Sequence, residues 1–152
     1  MNEVPIKYYT LTAIIIYSRG TDRLNLSLRH PLWRRHGLLM IQDNETQQQA
    51  GHGFGFNGYL RERTPAVSNI VARQVLGRRV SAATINKLMA RLTSTTSSSR
   101  PEATSTKQYC IWRYNCIDHL LVCLRGCGYK SRLLRTYQKS ARRWSRRRGY
   151  LG

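Results

Sequence analysis

All four cysteines of the chain fall between residues 110 and 127, in the stretch CIWRYNCIDHLLVCLRGC, with one of its four histidines. Thiolate and imidazole are the ligands of structural zinc, so the spacing C-x5-C-x2-H-x3-C-x3-C raises a metal site first. Helix geometry argues against it. On a helix over 108–125, Cys116, His119, Cys123 and Cys127 lie along one stripe. The rise of that helix sets Cys110 and Cys127 roughly 25 Å apart, so the ligands do not converge. Cys116, His119, Cys123 and Cys127 remain metal candidates only with a chain break at Gly126 or ligands from a second chain, and no cofactor is expected. A disulfide between successive turns of one helix lacks the required Cβ vectors. The plain reading is packing, because free cysteine behaves as a small apolar group. Tyr109, Ile111, Trp112, Ile117, Leu120, Leu121, Val122 and Leu124 make nearly every face of this helix apolar. It therefore needs a cover: the rest of the fold, a partner protein or a membrane surface at 109–124. Cys123 and Cys127, just ahead of a basic run, also suit palmitoylation.

Signs of catalysis are sparse. Seven carboxylates are present, and the one close pair is Asp43 and Glu45. The histidines at 30, 36, 52 and 119 form no H-E-x-x-H, and there is no nucleophile elbow. His119, beside Asp118, reads as a partly exposed helix residue. The expectation is a protein that is not an enzyme. GFGFNG places Gly53, Gly55 and Gly58 at phosphate-loop spacing. It lacks the flanking strand and helix, and the acidic ribose partner, that such a loop requires, so a mobile glycine loop is expected.

Charge is the strongest compositional signal. The net charge is +19, and 21 of the 26 basic residues are arginine. Arginine's planar fork matches phosphate and stacks on bases, which points to nucleic acid. From Arg125 to the end there are ten Lys or Arg and no acidic residue. On a helix, Leu133, Tyr137, Ala141 and Trp144 share one face, and the basic residues spread over the others. Arg132, Arg135, Lys139, Arg142, Arg143, Trp144, Arg146, Arg147 and Arg148 are the expected nucleic-acid contacts, RNA or DNA, through phosphate neutralisation and stacking. RRWSRRR also fits a nuclear-import signal, so a nuclear or nucleolar location is favoured. The competing reading is a membrane- or partner-docking regulator with the tail on anionic lipid. The composition resembles that of small viral accessory proteins encoded in overlapping frames.

The elements that must position these groups are less sharply marked. YYTLTAIIIYS (8–18) is β-branched and too short to span a bilayer, so a buried strand in an intracellular protein is expected. Residues 43–63 read as a Gly/Gln-rich loop. Thr64 as cap, Pro65 at the first helical position and AVSNIVARQVL predict a helix ending at Gly77. Ser81 caps a second helix, AATINKLMARL, with Ile85, Leu88, Met89 and Leu92 on one face. Together they resemble a helix-turn-helix, and T-x-N-K-x-M resembles a stretch in the core-binding region of phage-type integrases. That resemblance implies Thr84 and Asn86 near base edges and Arg78 and Arg79 on phosphates. A Ser/Thr-rich run at 93–107 reads as a flexible linker. The expected organisation is a weakly structured segment (1–63), a helical hairpin (64–92), the linker (93–107), the Cys-rich helix (108–127) and the basic tail (128–152). The expected fold class is mainly α, with a small α+β arrangement as the alternative, and substantial disorder.

Overall fold

The computed structural model describes residues 6–17, 35–55, 58–94 and 115–147, except for the side chains of 144 and 145. Cys110, Arg148, the Trp144 side chain and most of the Ser/Thr run therefore lie outside the described residues.

The described chain is an α+β fold, not a mainly α one: five antiparallel strands carry three helices. The strands are β1 (Tyr8–Tyr17), β2 (Arg35–Asp43), β3 (Gln49–Gly55), β4 (Gly58–Glu62) and β5 (Ile70–Ser81). They form one sheet in the order β4-β3-β2-β1-β5. The helices are α1 (Ala82–Thr93), α2 (Cys116–Gly126) and α3 (Arg132–Arg147). Among the described residues no helix is long and apolar enough to cross a membrane.

The expected strand at 8–18 is β1, and it is flanked on both sides. Side chains alternate across a pleated strand. Leu11, Ala13 and Ile15 join the core beneath the helices, while Ile14 packs on the opposite face with Leu38 and Met40. Residues 43–63 are not a loop. Asp43 Oδ1 accepts from the amides of Glu45 and Thr46 at 2.9 and 3.2 Å, closing a tight turn into β3. The glycines of GFGFNG sit in the β3–β4 hairpin instead of a phosphate loop.

The helix expected after Thr64 and Pro65 is absent. Those residues lead into a short 3-10 turn (Val67–Asn69), and the chain continues as β5. Ile70, Val71, Val75 and Leu76 satisfy a helical period and a strand pattern about equally. The open edge of β1 decides between them, because pairing supplies the backbone hydrogen bonds that its buried peptide groups require. The helix-turn-helix reading falls with that helix. Arg78 and Arg79 lie on edge strand β5, where the Arg79 guanidinium sits 4.7 Å from the Tyr8 ring centroid. Charged residues on an edge strand also discourage further strand pairing.

The second expected helix forms as α1. Ser81 Oγ accepts from the Thr84 amide at 3.2 Å, and Ile85, Leu88 and Leu92 are buried. Of the expected Cys-rich helix, 108–114 lie outside the described residues, and within 116–126 the fold covers most of the apolar side chains. α2 lies over β2 and β3, between α1 and α3, and Ile117, Leu120 and Leu124 are fully buried.

The basic tail folds as α3, and its N-terminus is held from β5. Gln74 Oε1 accepts from the Ser131 hydroxyl at 2.9 Å and from the Leu133 amide at 3.0 Å. Ser131 Oγ in turn accepts from the Leu134 amide at 3.1 Å. Ser131→Ala is expected to cost about 1–2 kcal/mol, as for loss of an N-cap. Urea unfolding followed by far-UV circular dichroism measures it, and an unchanged midpoint would show that the cap contributes nothing.

Candidate active site

The capping box of α2 is where the site begins. Asn115 Oδ1 accepts from the amides of Ile117 and Asp118 at 3.0 and 3.2 Å, and Asp118 Oδ2 accepts from the Asn115 amide at 3.1 Å. Asp118 is almost fully buried, yet its charge is compensated. Its other oxygen accepts from Gln138 at 2.6 Å and pairs with Arg142 at 3.5 Å, so α3 braces the start of α2. Neither of these two carboxylate partners is spare: Asp118 is a fixture of the helix start, and Arg142 is committed to it.

Cys116 is therefore the first residue of a rigid helix. Its side chain sits at the positive end of the helix dipole. None of these capping bonds takes the Cys116 amide.

The sheet brings two further groups to this point. Ile117 packs directly against Gly37, which sets the start of α2 beside the start of β2. His36, the neighbour of Gly37, brings its imidazole close enough to the Cys116 side chain for the two to interact electrostatically. The other partner of the His36 ring is Glu62 at the end of β4, with Nε2 and Oε2 2.7 Å apart. That contact occupies Nε2. A thiol, an imidazole and a carboxylate thus stand in series, one each from α2, β2 and β4.

The carboxylate must cross an intervening strand to get there. In the β3–β4 register Glu62 lies opposite Gly51, and Gly53 opposite Leu60. A Cβ on Gly53 would collide with Glu62 Oε2 and would stand 3.1 Å from His36 Nε2. A Cβ on Gly51 would press to 3.2 Å on the Glu62 carbonyl and on Leu38. The alternating glycines make β3 a bare floor across which Glu62 reaches His36.

Electrostatics follow the geometry. Burial disfavours charge on His36. Interactions with Cys116 and then Glu62, with the negative charge of both, overcome it and raise the imidazole from 6.5 to about 10. His36 is thus an imidazolium across the neutral range. Cys116 is 2 % exposed. The side chains of His36 and Glu62 are 18 % and 24 % exposed and mark the side of the site that meets solvent.

The four metal candidates disperse. Cys116 turns to His36. His119 stacks on Phe54 with ring centroids 4.1 Å apart, and its Nε2 lies 3.2 Å from the Leu92 carbonyl and 3.6 Å from Cys123 Sγ. It is a buried brace between α2 and α1, not a partly exposed residue. Cys127 is half-buried beyond the end of α2. Among the described residues, no three such side chains converge as metal ligands. The remaining histidine of the sheet, His52, is held at 2.7 Å by the Tyr59 hydroxyl. Burial first, and then the charge of Arg61, hold it below the usual histidine range.

Of the expected nucleic-acid contacts, Arg132, Arg135 and Lys139 line one cavity with Lys130. Arg143, Arg146 and Arg147 lie exposed on α3 outside it. Arg78, Arg79, Thr84 and Asn86 sit on β5 and α1 and do not join them. Sequence reasoning did not assign His36 or Glu62 a role, and it considered Cys116 only for metal or packing. One local signal was available: a cysteine at the first position of a helix, with Asn before it and Asp two residues after. Comparison with protein-family models, curated proteins and solved structures gives no match to this chain.

Proposed function

We propose that this protein is a thiol-dependent acyl hydrolase or acyltransferase, acting on carboxylic esters, thioesters or amides. Cys116 is the nucleophile, His36 the general acid and base, and Glu62 the group that orients His36 and stabilises its charge. The observation that carries the reading is the Cys116–His36–Glu62 series at the start of α2. A cysteine that only packs has no use for an imidazole that is itself held by a carboxylate, whereas an activated nucleophile needs both.

The chemistry follows from the charges. Cys116 attacks the acyl carbon as a thiolate, its proton already held by the His36 imidazolium. The resulting oxyanion develops beside the Cys116 amide and the positive end of α2. As the intermediate collapses, the imidazolium returns its proton to the leaving alkoxide, thiolate or amine, and a Cys116 thioester remains. Water or an acceptor nucleophile then attacks that thioester. His36 takes the attacking group's proton and keeps it as the Cys116 thiolate departs, which restores the starting pair. Glu62 stays ionised throughout, as the carboxylate of such a series does.

The test is acylation with 4-nitrophenyl acetate. A burst of nitrophenolate is expected, with an acetyl group on Cys116 by peptide mass spectrometry. No burst, or equal acetylation of the other cysteines, would sink the proposal. The pH profile carries a second expectation. Leaving-group protonation needs the imidazolium, so the rate of aryl amide hydrolysis should hold through neutral pH and fall as pH rises through about 10. A fall centred near 6.5 would mean that His36 titrates as an unperturbed histidine.

A further inference from the structure

We infer that the cavity between the first half of α3 and β5 binds the phosphodiester backbone of a nucleic acid. It is independent of the thiol chemistry. The cavity has a volume of about 480 Å³ and is lined by Gln74, Lys130, Arg132, Arg135, Thr136 and Lys139. Four of these six are cations and none is acidic. Among the described residues, none of the four has an ion-pair partner, in contrast to Arg142 on the same helix. Four like charges around one recess repel one another, and an anion seated among them relieves that repulsion.

The remaining wall is suited to oxygen ligands. Gln74 Oε1 is fixed by the Ser131 hydroxyl and the Leu133 amide, which leaves the Gln74 NH₂ as a donor. The first amides of α3 are thereby capped, so side chains and not the helix end supply the attraction. Arginine forks match phosphate oxygens in pairs, and the two lysines add point charge.

The same helix argues against a membrane as the source of the phosphate. A surface-binding helix needs an exposed apolar face to enter the lipid. In α3, Leu134 and Ala141 are buried in the core and Leu133 and Tyr137 pack against it. Among the described side chains its outward face is polar and basic. A recess of separate cations suits the successive phosphates of a strand better than a flat lipid surface.

The test uses the full chain and a fluorescein-labelled single-stranded RNA of about 20 nucleotides, read by anisotropy at several salt concentrations. Two triple variants remove the same charge from the same helix: Arg132→Gln/Arg135→Gln/Lys139→Gln in the cavity and Arg143→Gln/Arg146→Gln/Arg147→Gln outside it. All six residues are exposed, so both variants should melt like the parent. The cavity triple is expected to weaken binding about tenfold or more and to flatten the salt slope by about 2, at roughly 0.7 per phosphate contact for single strands. The outer triple should cost under about threefold. Equal losses would reduce the effect to net charge and overturn the site. So would an RNA that fails to bind the parent, or phosphatidylserine vesicles that bind it more tightly with the same dependence on the cavity triple.

Discussion

Cys116→Ala is expected to lower acyl transfer by on the order of 10⁴-fold or more, because loss of a nucleophile removes the covalent route altogether. The fold should survive. The thiol is small, and the start of α2 is held by Asn115, Asp118, Gln138 and Arg142, not by the cysteine. A stability loss of about 1 kcal/mol, typical of a single substitution, is the expected cost. His36→Ala should reduce turnover by about 10²–10⁴-fold, the usual contribution of a positioned acid and base. The two losses should not add, since nucleophile and base act as one unit. Steady-state rates of the two single variants and the double variant measure this, with melting curves as the check on folding. A Cys116→Ala protein that retains even a tenth of the parent rate would place the chemistry elsewhere.

Gly53→Ala should be nearly as damaging, though the residue has no side chain and does not touch substrate. Its Cβ would occupy the space of the Glu62 carboxylate, so Glu62 must leave or His36 must move. A loss of about 10²-fold in turnover is expected, with about 1–3 kcal/mol of strain from overpacking. A purely structural effect would leave His36 titrating as before. We expect its titration, followed by NMR of the ring protons, to fall below about 10 as the Glu62 contribution is lost while that of Cys116 remains. Gly55→Ala is the control on the same strand. Among the described residues its Cβ would meet only the Leu60 side chain, a flexible group that can yield. Equal loss in the two variants would show that the strand, and not the passage across it, is what matters.

The sheet that carries these groups explains why the proposed thiol site is not legible in the sequence. Local motifs for catalysis place their residues within a few positions of one another. Here His36, Glu62 and Cys116 come from separate elements, and His36 and Glu62 meet only because β4 and β2 flank a glycine strand. The glycines were visible as G-x-G. Their context pointed away from phosphate, and nothing local suggested that a carboxylate would lie across them. The helix expected after Pro65 fails for a related reason. The cap and proline signals are genuine, but they end in one 3-10 turn, because β1 offers the next residues a full ladder of hydrogen bonds.

By itself the sequence determined the properties set by near neighbours along the chain. These are the β-branched strand at 8–18, α1 with its Ser81 cap and buried Ile85, Leu88 and Leu92, and the all-round apolar character of α2 that required a cover. The concentration of arginine on an amphipathic C-terminal helix belongs with them. Each follows from propensity, capping or periodicity, which act over a few residues. Tertiary structure alone decided the rest: that 70–81 is a strand, that the sheet, α1 and α3 pack around α2, and that Cys116 lies near the His36 imidazole. Those outcomes depend on which strands pair and in what register, and pairing is settled by burial and hydrogen-bond satisfaction across long stretches of chain.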